Sequence, residues 1–246
     1  GVDLELSGIL FSNTNWNISM GANISAYRNK IFGLGLTPDE FGQVYFESAN
    51  IGKASGFVCS PNVYYNGKPI GAFWGYKTNG IIYDAGEAAQ APTFNGQKLE
   101  PGDIKFIDVR GKAGNLNKDG DVTIDDKCII GDPNPDFTYG FNFDISYKRL
   151  SLSCIFSGSK GNDILNANAI NKLKNNYLNA WRPNAPSREY PRLMQNSATV
   201  NSIITDRMIE DGSYFKLSQL TLSYIFKIKK YGNASLKLFG TANNLF

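Results

Sequence analysis

Histidine is missing altogether from the 246 residues, and cysteine occurs only as Cys59, Cys128 and Cys154. Without imidazole, the common zinc sites and the Ser-His-Asp arrangement lose a usual member. The thiols are far apart, form no CxxC and are odd in number, so neither a redox pair nor a disulfide framework is indicated. Charge is scarce as well, at 19% of residues against about 25% in an ordinary soluble domain. The formal net charge is +3, too weak and too scattered for a nucleic-acid footprint. The tight basic cluster Lys227, Lys229 and Lys230 reads as a solvated turn. No stretch approaches the roughly 18 apolar residues of a transmembrane helix, although alternating barrel strands escape that test. The chain opens on Gly1-Val-Asp without a starter Met or signal peptide, and reads as an internal piece of a longer precursor. A glycosidase would need two carboxylates flanking a cleft. No spacing supports one, so no enzyme activity is expected and no catalytic residue is nominated.

What the chain does have is aromatic residues, 13% of the total, and period-two alternation, the signature of strands with two unlike faces. From Asn15 to Tyr27, the residues Trp16, Ile18, Met20, Ala22, Ile24 and Ala26 point one way and Asn17, Ser19, Gly21, Asn23 and Ser25 the other. From Thr138 to Lys148, Tyr139, Phe141, Phe143, Ile145 and Tyr147 share a face. Leu150, Leu152, Cys154 and Phe156 repeat the pattern, as do Leu4, Leu6 and Leu10 near the start and Leu236, Leu238 and Ala242 near the end. Leu220, Leu222, Tyr224 and Phe226 run out of phase with Phe215 and Leu217, which predicts a β-bulge near Ser218 or Gln219.

Six such segments also suit a soluble sandwich. Two features favour a membrane barrel instead. The segments run near ten residues, about what a tilted crossing needs, and their polar faces hold mainly Asn, Ser, Gly and Thr. The connections agree. Short turns at Asn13-Thr14, Lys148-Arg149 and Tyr231-Gly232-Asn233 alternate with long regions at 28–136 and 159–213, as periplasmic turns alternate with extracellular loops. The two long regions are therefore expected outside the cell. Within the second, Leu165, Ala169, Leu173, Tyr177 and Trp181 recur every four residues and predict a helix capped by Asn162 or Asp163 and ended by Arg182-Pro183. Trp74, Tyr76, Trp181 and Tyr190 are candidate substrate platforms because they sit in these long regions, with packing the favoured reading of each.

One local motif carries ligand chemistry. Asn115-Leu-Asn117-Lys-Asp119-Gly120-Asp121-Val122-Thr123-Ile-Asp125-Asp126 fits the twelve-residue calcium loop of EF-hands and dockerins. Oxygens would come from Asn115, Asn117 and Asp119, from the Asp121 carbonyl, from Thr123 directly or through water, and from Asp126. Gly120 falls at the sharp turn and Val122 at the aliphatic anchor. Asn115 replaces the usual Asp and Asp126 the usual bidentate Glu, and no clear helix precedes the loop. The competing reading is an Asx-rich turn whose side chains bond their own backbone.

Pro101-Gly-Asp-Ile-Lys-Phe, Asn117-Lys-Asp-Gly and Ile130-Gly-Asp-Pro-Asn-Pro-Asp-Phe-Thr-Tyr-Gly-Phe resemble the SusC/RagA family of TonB-dependent outer-membrane transporters. So do Gly67-Lys-Pro-Ile-Gly-Ala-Phe-Trp-Gly-Tyr-Lys-Thr-Asn-Gly-Ile, Gly161-Asn-Asp-Ile-Leu-Asn, Asp211-Gly-Ser-Tyr-Phe-Lys-Leu-Ser-Gln-Leu-Thr-Leu-Ser-Tyr and Asn243-Asn-Leu-Phe. The matches are collinear along nearly the whole chain. The resemblance implies that residues 1–246 are the C-terminal part of an all-β transmembrane barrel, about six strands of about 22, with a plug elsewhere in the protein. It also implies an outer-membrane location, energy from TonB through the missing N-terminal region, a SusD-like surface lipoprotein as partner, and import of oligosaccharides or peptides. The expected surroundings are outer-membrane lipid and no nucleic acid. The alternative is a secreted, calcium-stapled β-sandwich for glycan binding or adhesion.

Overall fold

A computed structural model describes residues 1–48, 60–112, 114–166, 178–193, 203–228 and 234–246. Sixteen strands follow one another: β1 (Val2–Ser12), β2 (Trp16–Ala26), β3 (Tyr45–Glu47), β4 (Val63–Tyr65), β5 (Phe73–Gly75), β6 (Thr78–Ile81), β7 (Thr93–Phe94), β8 (Ile104–Phe106), β9 (Asp121–Val122), β10 (Cys128–Gly131), β11 (Phe137–Tyr147), β12 (Leu150–Lys160), β13 (Asp163–Leu165), β14 (Ile209–Asp211), β15 (Tyr214–Ile228) and β16 (Ala234–Asn243). Among the described residues one short α-helix, α1 (Ala85–Gln90), lies between β6 and β7. No described helix is long and apolar enough to cross a membrane. The chain divides into two compact units.

The first unit comprises residues 1–28, 135–162 and 212–246. It is a single six-stranded sheet in the order β1-β2-β11-β12-β15-β16, antiparallel throughout. All six alternating segments are in it. The β1–β2 turn closes on Asn13, whose Oδ1 accepts the N–H groups of Asn15 and Trp16, both at 2.8 Å. Lys148, in the left-handed region at φ 54, turns β11 directly into β12, so Tyr147 pairs with Leu150 and Phe137 with Lys160. The third short link, at 229–233, lies outside the described residues, between the paired Ile228 and Ala234.

Two bulges set the phase. In β15 the register shifts between Gln219 and Leu217, where the out-of-phase apolar runs placed it. A second shift in β1 puts Phe11, not Leu10, opposite Ile18. Leu10 therefore does not continue the row of Leu4 and Leu6, because one inserted residue flips every later side chain to the other face.

The second unit comprises residues 29–134 and 163–211. Among its described residues the strands are short and pair in twos. Its larger core gathers Tyr76, Ile81, Ile82, Phe94, Leu99, Ile104, Phe106 and Val122. A smaller core holds Val63, Ala72 and Trp74 under Tyr45 and Tyr65. The two chain excursions are stitched together by polar contacts. Asp103 accepts from Arg192 Nε at 2.8 Å and Nη2 at 3.1 Å, and Asp206 accepts from the Thr78 hydroxyl at 2.6 Å. The helix expected from Asp163 does not start there. Residues 163–165 are strand β13, paired antiparallel with β14, and the Asp163 carboxylate accepts the N–H of Asp132 instead of capping a helix. Most of the remaining stripe, 167–177, lies outside the described residues.

Candidate functional site: a two-faced sheet and an acidic loop

Register turns the six alternating segments into two continuous surfaces. On one face Trp16 lies opposite Tyr147, Ile18 opposite Ile145, Met20 opposite Phe143, Ala22 opposite Phe141 and Ile24 opposite Tyr139. These rows extend to Leu150, Leu152, Cys154 and Phe156 on β12 and to Tyr224, Leu222, Leu220 and Leu217 on β15. Rings crowd both ends. Trp16 and Tyr147 sit 4.4 Å apart, near the short turns. At the far end Tyr139 lies 6.1 Å and Phe156 5.5 Å from Phe215. Aliphatic side chains, with Phe141 and Phe143 among them, fill the band between. At ~3.3 Å per residue the run Trp16–Ile24 is roughly 26 Å long, and a tilt of ~40° lowers its height to about 20 Å, near the ~25 Å apolar band of barrel walls. Leu222, Leu238 and Phe215 are each more than half exposed. Isolated exposed apolar residues are ordinary, but a continuous face of this extent marks contact with an apolar surrounding.

The opposite face is small and polar. Asn17, Ser146, Ser151 and Ser223 form one row, and Ser19, Asp144, Ser153 and Thr221 the next. Hydroxyl pairs bridge strands at Ser146–Ser151 (3.0 Å), Ser157–Ser218 (2.6 Å) and Thr221–Thr241 (3.0 Å). Asn142 lies over Gly21 and Asn23 over Gly140, each so close that a Cβ on the glycine would stand about 2.4–2.5 Å from the amide oxygen. The glycines thus make room for amide side chains that coat this face. Ile9, Ile155, Ile225 and Phe239 interrupt the polarity.

In the second unit, the proposed platforms Trp74 and Tyr76 are buried, at 2% and 6% exposure. They are packing residues. Trp74 donates its indole N–H to Glu47 at 2.9 Å, and Tyr76 stacks edge-on against Phe94 and Phe106. Burial pushes the Tyr76 phenol far above its usual pKa. Trp181 packs on the larger core, covers Gly102 and donates to the Tyr83 carbonyl at 3.0 Å. Tyr190 accepts at its carbonyl from the Trp181 N–H. Another aromatic pair points outward. On the β3–β4 hairpin Tyr45 and Tyr65 face Trp74, so Phe46 and Tyr64 face away from it, stacked at 4.6 Å with Phe46 44% exposed. The alternation in Tyr45-Phe46-Glu47 and Val63-Tyr64-Tyr65 carried that signal but is too short to read alone.

The loop from Asn115 to Asp126 is tightly self-bonded. Asn115 Oδ1 accepts the N–H of Asn117, and Asp119 Oδ1 that of Asp121, both at 3.0 Å. Gly120 makes the sharp turn at φ 82, and Val122 is fully buried as the loop's anchor. The Asp121 carboxylate meets Lys112 Nζ at 2.6 Å and accepts from the Thr93 hydroxyl and the Gly96 N–H. Burial pushes its pKa up, but the Lys112 ammonium and these two donors outweigh it and hold the group at about 2. Thr123 and Asp126 form a capping box around the 3-10 turn Ile124–Asp126. The fully buried Asp126 carboxylate also accepts the N–H groups of Val109 and Arg110. Asn117 lies with its carbonyl against Gly111. The donors expected from the sequence thus share one loop, but the Thr123 and Asp126 side chains are turned to the backbone. Among the described residues, no three Asp, Glu, Cys or His side chains gather as a metal-holding group. One participant had no sequence signal. Asp108, 8% exposed, accepts the Gly120 N–H on Oδ2 at 2.7 Å, while its buried Oδ1 meets no hydrogen-bond donor.

A sheet that is apolar and ring-bordered on one face, polar on the other, with short turns at one end and long excursions at the other, has the build of a transmembrane β-barrel wall. Known proteins narrow this. No protein-family model matches the chain. TonB-dependent receptor P3 of Formosa agariphila is 29% identical over 257 residues, covering 100% of this chain and 24% of its own length. TonB-dependent receptor P26 of the same organism is 28% identical, covering 97% and 23%. The RagAB peptide transporter has the same fold, with a TM-score of 0.67 at 20% identity over 99% of this chain and 25% of that one. The RagAB peptide importer in its open-open state gives 0.66 at 20% identity, over 99% and 24%. The chain is therefore similar to TonB-dependent receptors, spans about a quarter of their length, and shares its fold with the matched part of the RagAB chain. These relatives are receptors and transporters, not enzymes, in line with the absence of a catalytic constellation in the sequence.

Proposed function

We propose that this chain is the C-terminal barrel portion of an outer-membrane, TonB-dependent importer of oligosaccharides or peptides that works with a SusD-like surface lipoprotein. The carrying observation is the two-faced sheet. Its ring-bordered apolar face suits lipid, and its Ser, Thr, Asn and Gly face suits a wet lumen. The long regions then belong on the extracellular side, where the outward Phe46–Tyr64 pair offers flat apolar surface for a sugar ring or a peptide side chain. The RagAB likeness supports the peptide alternative at the level of fold. The full-length receptor tests this. In cells, its deletion should abolish uptake of one fluorescent peptide or oligosaccharide class, and loss of TonB should have the same effect. The tagged receptor should sediment with outer membranes and copurify with a surface lipoprotein. Recovery of the folded receptor in the soluble fraction, or TonB-independent uptake, would overturn the assignment.

A further inference from the structure

The observation that the importer reading does not use is Asp108. A carboxyl oxygen buried without a hydrogen-bond partner is costly, and buried polar groups in native folds are nearly always answered. Here one oxygen is held by the Gly120 N–H at 2.7 Å. The other is buried, meets no donor, and is fixed by that bond at the turn of the acidic loop. The nearby cationic side chains are spent elsewhere. Lys112 Nζ is bound to Asp121 Oδ2 at 2.6 Å. The Arg110 guanidinium donates to Gln43 Oε1 and to the Lys127 carbonyl and lies over the Phe41 ring.

We propose that Asp108 is the anchoring ligand of a site for one hard divalent cation, calcium by ligand type, completed by oxygens of the Asn117–Asp119 turn. In this site Asp108 supplies the first carboxylate that Asn115 lacks, and it comes from outside the twelve-residue loop. Asp119 supplies the second. It precedes Gly120 in the chain, and its Oδ1 is already oriented by the Asp121 N–H. The remaining ligands are amide and carbonyl oxygens, so two acids suffice and no third need gather. Oxygen donors without sulfur or imidazole select calcium over transition metals. With two carboxylates the affinity falls in the ~10⁻⁴–10⁻³ M range of extracellular modules. The site is structural. The ion answers the buried oxygen and ties 108 to the turn at 117–120, which rests on none of the transport chemistry.

The test is calorimetric titration of the full-length, chelator-treated receptor in detergent with calcium chloride alone. One calcium per chain is expected. Asp108→Asn, which keeps an acceptor for Gly120, and Asp119→Asn should each weaken binding at least tenfold, and Asp125→Asn by less than threefold. Should the Asp108 variant fail to fold, hydrogen exchange on the wild type decides: calcium should slow exchange at Gly120 and its neighbours in the loop. No calcium heat up to millimolar concentration, or unchanged exchange there, overturns the proposal. So does wild-type affinity in Asp108→Asn, or a loss confined to Asn115→Ala, which would return the first ligand to Asn115.

Discussion

Arginine in place of Phe143 should damage this protein far more than arginine in place of Ser19, although the two positions sit at nearly the same depth. Phe143 lies opposite Met20, and Ser19 opposite Asp144, in adjacent rows of the same strand pair. Phe143 is also midway along β11 between Tyr139 and Tyr147, the rings that border the apolar band at its two ends. If that band meets lipid, Phe143 is at the midplane, where an arginine costs about 2–4 kcal/mol. That is roughly a 30- to 700-fold loss in the folding equilibrium. On the other face an arginine at position 19 stays in water and gains Asp144 across the strand, a pairing worth ~0.2–1 kcal/mol. Its net effect should stay under about 1 kcal/mol in either direction. The assay is urea-dependent folding of the full-length receptor into phosphatidylcholine vesicles, read by heat-modifiable gel migration. Equal losses at the two positions would indicate a face buried in protein on both sides. A larger loss at Ser19 would reverse the assignment of the faces.

Two further outcomes concern the second unit. Asp103→Ala should destabilise it by about 3 kcal/mol, the lower end for breaking a buried pair, because Arg192 keeps 26% exposure and its bond to Glu100 while Asp103 is only 3% exposed. Limited proteolysis of the full receptor should then cut near residues 100–110 much faster, and an unchanged rate would refute the stitching role. Acid should loosen the Asp121 contacts in a defined window. Its folded pKa, about 2, lies below the ~3.9 of an unfolded aspartate, so its stabilisation is present above pH ~4 and is lost as pH falls through about 2. Amide exchange at Gly96, corrected for its intrinsic pH dependence, should rise across that window. The rise should be absent in Asp121→Asn.

How much of this was legible beforehand depended on range. The six long strands could be read from alternation because side-chain direction in a strand repeats every two residues whatever the strand pairs with. The bulge near Ser218 could be read too, since two apolar runs out of phase within one strand require an extra residue between them. The shift at Leu10 could not. Gly8-Ile9-Leu10-Phe11 is apolar on both phases, and only pairing with Ser19 and Ile18 shows which residue is the extra one. In the second unit the expected helix failed at its start because β13 finds its partner at Ile209–Asp211, far along the chain. The sequence favours packing over a platform role for Trp74 and Tyr76, as found, but strands of three or four residues carry too little pattern to say which face will be covered.

The sequence by itself determined the two-faced strands, the short turns at one end and the long excursions at the other, since each follows from local spacing and turn chemistry. Only the tertiary structure decided the register of those strands across the sheet, the burial of the loop aromatics, and the meeting of Asp108 with Gly120. These depend on contacts between residues remote in the chain. Whether a carboxylate at position 108 is solvated or left with an unanswered oxygen is settled by what folds over it, and no spacing rule within the chain records that.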